Sequence, residues 1–224
     1  MTEFDGSAYQ MVQDALNAIE RPMTLVAVSK RQSITAIVTA YAAGQIDFAE
    51  SYVNEAMEKL SRPEIKSLNK ARWHFIGPVQ RNKTKMIAEH FDWVQSVDRK
   101  LIVERLANQR PPELSPLKLL IQVNVDAEDQ KSGVHFEQVD ELAKVITSHA
   151  NLRLHGIMGI PKKTNDIDSK RASFKQLYEC YLQLQRHFDG IDTLSMGMSS
   201  DWALATKYGS TMVRLGTSLF GIRD

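Results

Sequence analysis

Thr24-Leu25-Val26-Ala27-Val28-Ser29-Lys30 is an apolar run closed by a lysine, and Ile34, Ile37, Val38 and Tyr41 follow it at three- and four-residue steps. The run is apolar continuously rather than alternately. Strands covered on both faces, as in a parallel sheet under helices, have this character. A buried strand followed at once by an amphipathic helix is the repeating unit of an α/β fold.

Working outward, the unit recurs along the chain. Strand-like runs fall at 24–29, 48–51, 73–77, 93–97, 117–125, 152–160, 193–198 and 211–215. Phe136, Val139, Leu142, Ala143, Val145 and Ile146 share one helical face, as do Phe174, Leu177, Tyr178, Tyr181, Leu182 and Leu184. An extra helix is expected at about 9–19, before the first strand. Eight strands with seven helical segments between them fit either a closed barrel or a doubly wound open sheet, and the count does not decide. Pro111-Pro112 marks a turn before the fifth strand, and Pro161 ends the sixth. No stretch is rich enough in Gly, Ser or Pro to divide the chain, so one domain over 1–224 is expected.

The 224 residues suffice for a (β/α)8 barrel, which needs roughly 200. The 28 basic and 27 acidic residues leave a net charge of +1, which predicts no broad attraction to nucleic acid or to an anionic membrane. Cys180 is the only cysteine, so no intramolecular disulfide forms, and it has no neighbour at metal-ligand spacing. Met1-Thr2-Glu3-Phe4-Asp5-Gly6 carries acids and no apolar core, so no signal peptide is expected. No apolar run reaches the roughly 20 residues that cross a bilayer. The cytoplasm is the expected location.

Lys30 is the first residue with chemical promise. In a parallel barrel the C-terminal strand ends form the floor of the active site, and an amine set there can form a Schiff base with an aldehyde. The plainer alternative is a lysine leaving its strand for solvent. Ser195-Met196-Gly197-Met198-Ser199-Ser200-Asp201 ends one strand and leads into a helix near Asp201, with Ser199, Ser200 and Asp201 as N-cap candidates. Backbone N–H groups at a helix start suit a phosphate, although a simple cap explains the same residues. Gly209-Ser210-Thr211-Met212-Val213-Arg214-Leu215-Gly216-Thr217 is the last strand, and Gly216-Thr217 lies just past its end. Barrel phosphate sites often use the loops after strands seven and eight. Arg214 points opposite to Val213 and Leu215, and a buried arginine needs a partner, for which a barrel carboxylate is one choice. His74, in Trp73-His74-Phe75-Ile76-Gly77-Pro78, is either a proton carrier or a hydrogen-bonded interior residue. Nucleotide-binding glycine motifs, H-E-x-x-H and G-x-S-x-G are absent from the sequence.

Together and in this order these segments resemble the pyridoxal phosphate homeostasis proteins, also called the YggS/PROSC family. The resemblance rests on Ala27-Val28-Ser29-Lys30, on 73–83 from Trp73 to Lys83, on Ser96-Val97-Asp98, and on Gln122-Val123-Asn124-Val125 with Lys131-Ser132-Gly133. Gly156-Ile157-Met158, Ser195-Met196-Gly197-Met198-Ser199, and Gly209 through Thr217 with Phe220-Gly221 complete it. The fold this implies is an α/β (β/α)8 TIM barrel with an extra N-terminal helix, like the N-terminal barrel of alanine racemase. The resemblance, not the strand count, breaks the tie with the open sheet.

By position, the resemblance implies that Lys30 carries pyridoxal 5′-phosphate as a Schiff base. Ser199, Gly216 and Thr217 match residues around its phosphate, with Ser195 and Met196 nearby, and Arg214 matches an arginine facing the pyridine nitrogen. His74 joins the site on the third strand. The family usually reads Phe-Gly-Glu-Asn-Tyr after the second strand, where this chain has Phe48-Ala49-Glu50-Ser51-Tyr52. Ser51 thus replaces the asparagine beside the cofactor, and a direct contact becomes water-mediated or is lost.

An arginine donates a hydrogen bond to the ring nitrogen but keeps its own proton, which leaves the ring a poor electron sink. The expectation is therefore a cofactor-binding homeostasis protein rather than an enzyme. The alternatives are a small amino-acid racemase and a barrel with a vestigial cofactor site. Related racemases add a β-rich domain that this sequence lacks. Pyridoxal phosphate is the expected ligand, pyridoxal-phosphate-dependent apoenzymes are candidate recipients, and a monomer is expected.

Overall fold

The computed structural model describes residues 4–126 and 132–221. Lys131, matched in the family resemblance, lies outside the described residues. Helix α1 (Gly6–Asn17) opens the chain, capped by the Asp5 side chain, which accepts from Ala8 N. Strand β1 (Thr24–Val28) leads to α2 (Ile34–Ala42), and β2 (Asp47–Glu50) leads to α3 (Val53–Ser61) and the short α4 (Pro63–Lys66). Then come β3 (Arg72–Phe75), α5 (Thr84–His90), β4 (Trp93–Val97), α6 (Lys100–Gln109), β5 (Leu117–Val123) and α7 (Val139–Thr147). The last units are β6 (Leu152–Gly159), α8 (Ile167–His187), β7 (Thr193–Ser195), α9 (Trp202–Lys207), β8 (Met212–Leu215) and α10 (Thr217–Phe220).

All eight strands are parallel and pair in sequence order, and β8 returns to pair with β1, so the sheet closes. The open-sheet alternative is excluded. Strands buried on both faces under crossover helices suit an open sheet equally well, and it is the β8–β1 pairing that removes the edges an open sheet would leave.

Alternation along the strands sorts side chains between two regions. Leu25, Ala27, Phe48, Phe75, Val213 and Leu215 pack outward into the layer under the helices. Each of the larger of these buried side chains, the valine, leucines and phenylalanines, stabilises the fold by roughly 1.5–3 kcal/mol. Val26, Val28, Ala49, Leu120, Met158 and Met212 point inward and plug the barrel. The plug divides the interior into a C-terminal mouth and an N-terminal mouth.

The strand expected at 193–198 is shorter, ending at Ser195. Gly197 turns the chain there with φ +96°, and a Cβ at this position would lie 2.7 Å from Ala205 Cβ. Only glycine combines that backbone with that closeness.

Candidate functional site

The inward parity of Val26 and Val28 carries on to Lys30, just beyond the end of β1 at the C-terminal mouth. The turn that delivers it is tight. Gln32 N donates to Ser29 O at 3.0 Å, and Arg31 has φ +60°, a left-handed conformation uncommon for a residue with a side chain. A buried ion network holds this turn. Lys59 Nζ bonds Glu50 Oε1 at 2.8 Å, Glu55 Oε1 at 2.7 Å and the Ser29 carbonyl at 2.7 Å. Ser29 Oγ donates to the same Glu50 oxygen, and Arg31 N donates to Glu55. Burial raises the Glu50 carboxyl above its ordinary range, against the pull of Lys59. Lys30 itself is half-buried, with Nζ 5.9 Å from the Tyr52 ring centre.

Ser51 follows β2 with the inward parity of Asp47 and Ala49, so it emerges at the same mouth as Lys30. The loop after β3 passes close by: a Cβ on Gly77 would sit 2.0 Å from the Ser51 carbonyl oxygen. On the neighbouring strand β8, in register with Val26 of β1, Arg214 reaches inward, almost fully buried. Its Nη1 donates to Ser195 Oγ at 2.5 Å and its Nη2 to the Gly159 carbonyl at 3.2 Å. A barrel carboxylate, one choice of partner open in the sequence, is not found: among the described residues no ion pair involves Arg214. Burial pushes its guanidinium down to about 10, so it remains charged at neutral pH.

The Ser195 contact is the start of a chain. Ser195 Oγ donates to Gln95 Oε1 at 2.7 Å, and the Gln95 amide nitrogen lies 2.9 Å from His74 Nδ1. His74 Nε2 lies 2.9 Å from Asp47 Oδ1. With the amide in this orientation, Nδ1 accepts and the ring proton is assigned to Nε2, donating to Asp47. Every donor points the same way, from Arg214 toward the Asp47 carboxylate. Burial lowers the His74 pKa and outweighs the attraction of Asp47, so the ring is neutral. Burial also pushes Asp47 up, but the hydrogen bonds and charges of His74 and Arg72 leave its carboxyl below the usual range.

Beside Arg214, the Ser199 hydroxyl faces two backbone donors, Gly216 N and Ser218 N, each at 3.4 Å. Both N–H groups belong to the start of α10, and Thr217 stands exposed next to them. Such a cluster suits an anionic oxygen. An amine, an anion cradle and a buried cation thus border one mouth, the combination a phosphorylated aldehyde with a ring nitrogen requires.

Of the residues singled out in the sequence, Lys30, Ser51, Arg214, Ser199, Gly216 and Thr217 border this mouth. Ser195 and His74 lie deeper, as links in the chain under Arg214. Met196 is not brought in by its side chain, which alternation turns outward into the layer under the helices. Asp201 is the N-cap residue of α9, but its carboxylate accepts from Met198 N at 2.7 Å instead of from the helix. Gln95, Asp47 and the Glu50–Lys59 pair escaped sequence reasoning. Gln95 interrupts the apolar run of β4, and a polar residue inside a doubly covered strand was the available signal.

The alanine racemase N-terminal domain model matches residues 9–224. A pyridoxal phosphate homeostasis protein of Vibrio alginolyticus is 49% identical over 201 residues, covering 89% of this chain and 86% of the relative. Its counterpart in Pasteurella multocida is 46% identical over 220 residues, covering 96% and 94%. PipY of Synechococcus elongatus, solved with pyridoxal phosphate bound, superposes with a TM-score of 0.85 at 32% identity, covering 96% of this chain and 100% of PipY. Alanine racemase of Corynebacterium glutamicum shares the fold alone, with a TM-score of 0.71 at 13% identity over 63% of that enzyme. The chain belongs to the family of the pyridoxal phosphate homeostasis proteins, built on the alanine racemase N-terminal barrel.

Proposed function

We propose that this chain binds pyridoxal 5′-phosphate as a Schiff base on Lys30 and takes part in controlling the intracellular level of the free cofactor. The observation that carries the reading is the grouping at one mouth of Lys30, the buried Arg214 cation and the Ser199 hydroxyl between two backbone N–H groups. The cofactor, when bound, supplies an aldehyde carbon that an amine holds reversibly. PipY, solved with the same cofactor, and the names of the curated relatives support the assignment.

In this reading Lys30 masks the aldehyde. Ser199, Gly216 and Thr217 grip the phosphate, close to the Met196 backbone. Arg214 donates to the ring nitrogen, held in place by Ser195, with His74 beneath them in the same chain. Ser51 offers one hydroxyl to the cofactor, through water. Because Arg214 keeps its proton, the ring is not primed for carbanion chemistry, which favours a carrier over a racemase. Residues 1–224 act as one domain, in the cytoplasm, as a monomer, and pyridoxal-phosphate-dependent apoenzymes receive the cofactor.

The test uses the loaded protein. Incubated with an apoenzyme, it restores activity, and it causes no α-proton exchange in deuterated water across a panel of amino acids. Exchange that disappears in Lys30→Ala would replace this reading with the racemase.

A further inference from the structure

The N-terminal mouth of the barrel, opposite to Lys30, opens into a cavity of about 670 Å³. Asp47, Arg72 and Trp93 begin β2, β3 and β4 and line it, with Lys118 near the start of β5. Tyr178 and Tyr181 of α8 form an outer wall. The interior plug separates this cavity from the C-terminal mouth.

Its carboxylates are already engaged. Asp47 accepts from Arg72 Nε at 2.7 Å and from His74, while Asp192 accepts from Thr193 at 2.6 Å and meets His155 Nδ1 at 3.0 Å. Lys118 is different. Its Nζ sits 5.1 Å from the centre of the Trp93 ring, and among the described residues no carboxylate lies within ion-pair distance of it. His155 also lines the cavity, its ring 4.8 Å from Trp93, and its buried Nε2 has no hydrogen-bond partner among the described residues. A half-buried cation without an anion and an orphaned imidazole nitrogen therefore meet at one aromatic ring, beside two tyrosines. The cation is stabilised by a ligand that brings an oxyanion, while Nε2, on a ring whose Nδ1 faces the Asp192 carboxylate, is an acceptor open to a ligand hydroxyl, and a cavity with a few polar groups and an aromatic wall is the usual form of a small-molecule site.

We propose that the N-terminal mouth is a second binding site, which takes a small organic oxyanion, a carboxylate or a phosphate monoester. The oxyanion meets Lys118, and the organic body lies against Tyr178 and Tyr181. The site does not depend on the cofactor or on Lys30.

Calorimetric titration of the full chain with benzoate and with phenyl phosphate tests this in wild type, Lys118→Gln and Ser199→Ala. Saturable binding of either probe is expected in wild type and in Ser199→Ala, weakened at least about tenfold in Lys118→Gln, since a charge-assisted contact is lost. The probe that binds identifies the source as carboxylate or phosphate. In the wild type the same probe should protect Lys118 from acetylation, read by mass spectrometry, which decides the matter if Lys118→Gln does not fold. No saturable binding by either probe, equal affinity in Lys118→Gln, loss of binding in Ser199→Ala, or unprotected Lys118 overturns the proposal.

Discussion

Arg214 rests on Ser195, with Nη1 2.5 Å from a hydroxyl that itself donates to Gln95. Ser195→Ala removes the acceptor of a buried charged donor and the partner of a buried amide oxygen. Leaving these groups unsatisfied costs about 1–3 kcal/mol. The urea midpoint should fall accordingly with an unchanged slope, and an unchanged midpoint would show that Arg214 does not depend on this contact.

His74 makes stability pH-dependent. Burial holds its folded-state pKa below the ordinary 6.5, so the unfolded chain takes up a proton that the folded chain refuses. Its contribution is complete above about pH 6.5 and is lost progressively as pH falls below that value. Denaturation curves across this range should show a loss of stability in wild type that is flatter in His74→Gln. Equal slopes for the two proteins would contradict a neutral, buried His74.

What was legible in the sequence was local. The β8 segment holds Arg214, Gly216 and Thr217 within four residues, and alternation alone set Arg214 opposite to Val213 and Leu215. The eight buried strands also declared an α/β fold, although closure needed the family resemblance. The chain beneath Arg214 was not legible, because Gln95 and Ser195 are 100 residues apart and meet only across a closed barrel. The direction of the Met196 side chain shows the same limit: it neighbours Ser195 in sequence but packs into the layer under the helices.

Gly77 carries a steric prediction. A methyl group there would meet the Ser51 carbonyl oxygen, a backbone atom, at 2.0 Å. Gly77→Ala should destabilise by about 1–3 kcal/mol as the β2 and β3 exits move apart. It should also weaken pyridoxal phosphate binding, since Ser51 shifts with its backbone. Wild-type stability by thermal denaturation would mean that the two loops are not in contact.

Ser51→Asn restores the residue that relatives are expected to carry beside the cofactor. One regained direct hydrogen bond should tighten pyridoxal phosphate binding by up to about tenfold in an absorbance titration. Affinity unchanged or weakened would place position 51 away from the cofactor.

The central claim is a covalent bond to Lys30, and reductive trapping reads it directly. Wild-type protein mixed with pyridoxal phosphate should absorb in the visible, and borohydride followed by peptide mass spectrometry should place the label on Lys30, with no such band in Lys30→Ala. A label on another lysine of the wild type, or a visible band that survives in Lys30→Ala, would contradict the account.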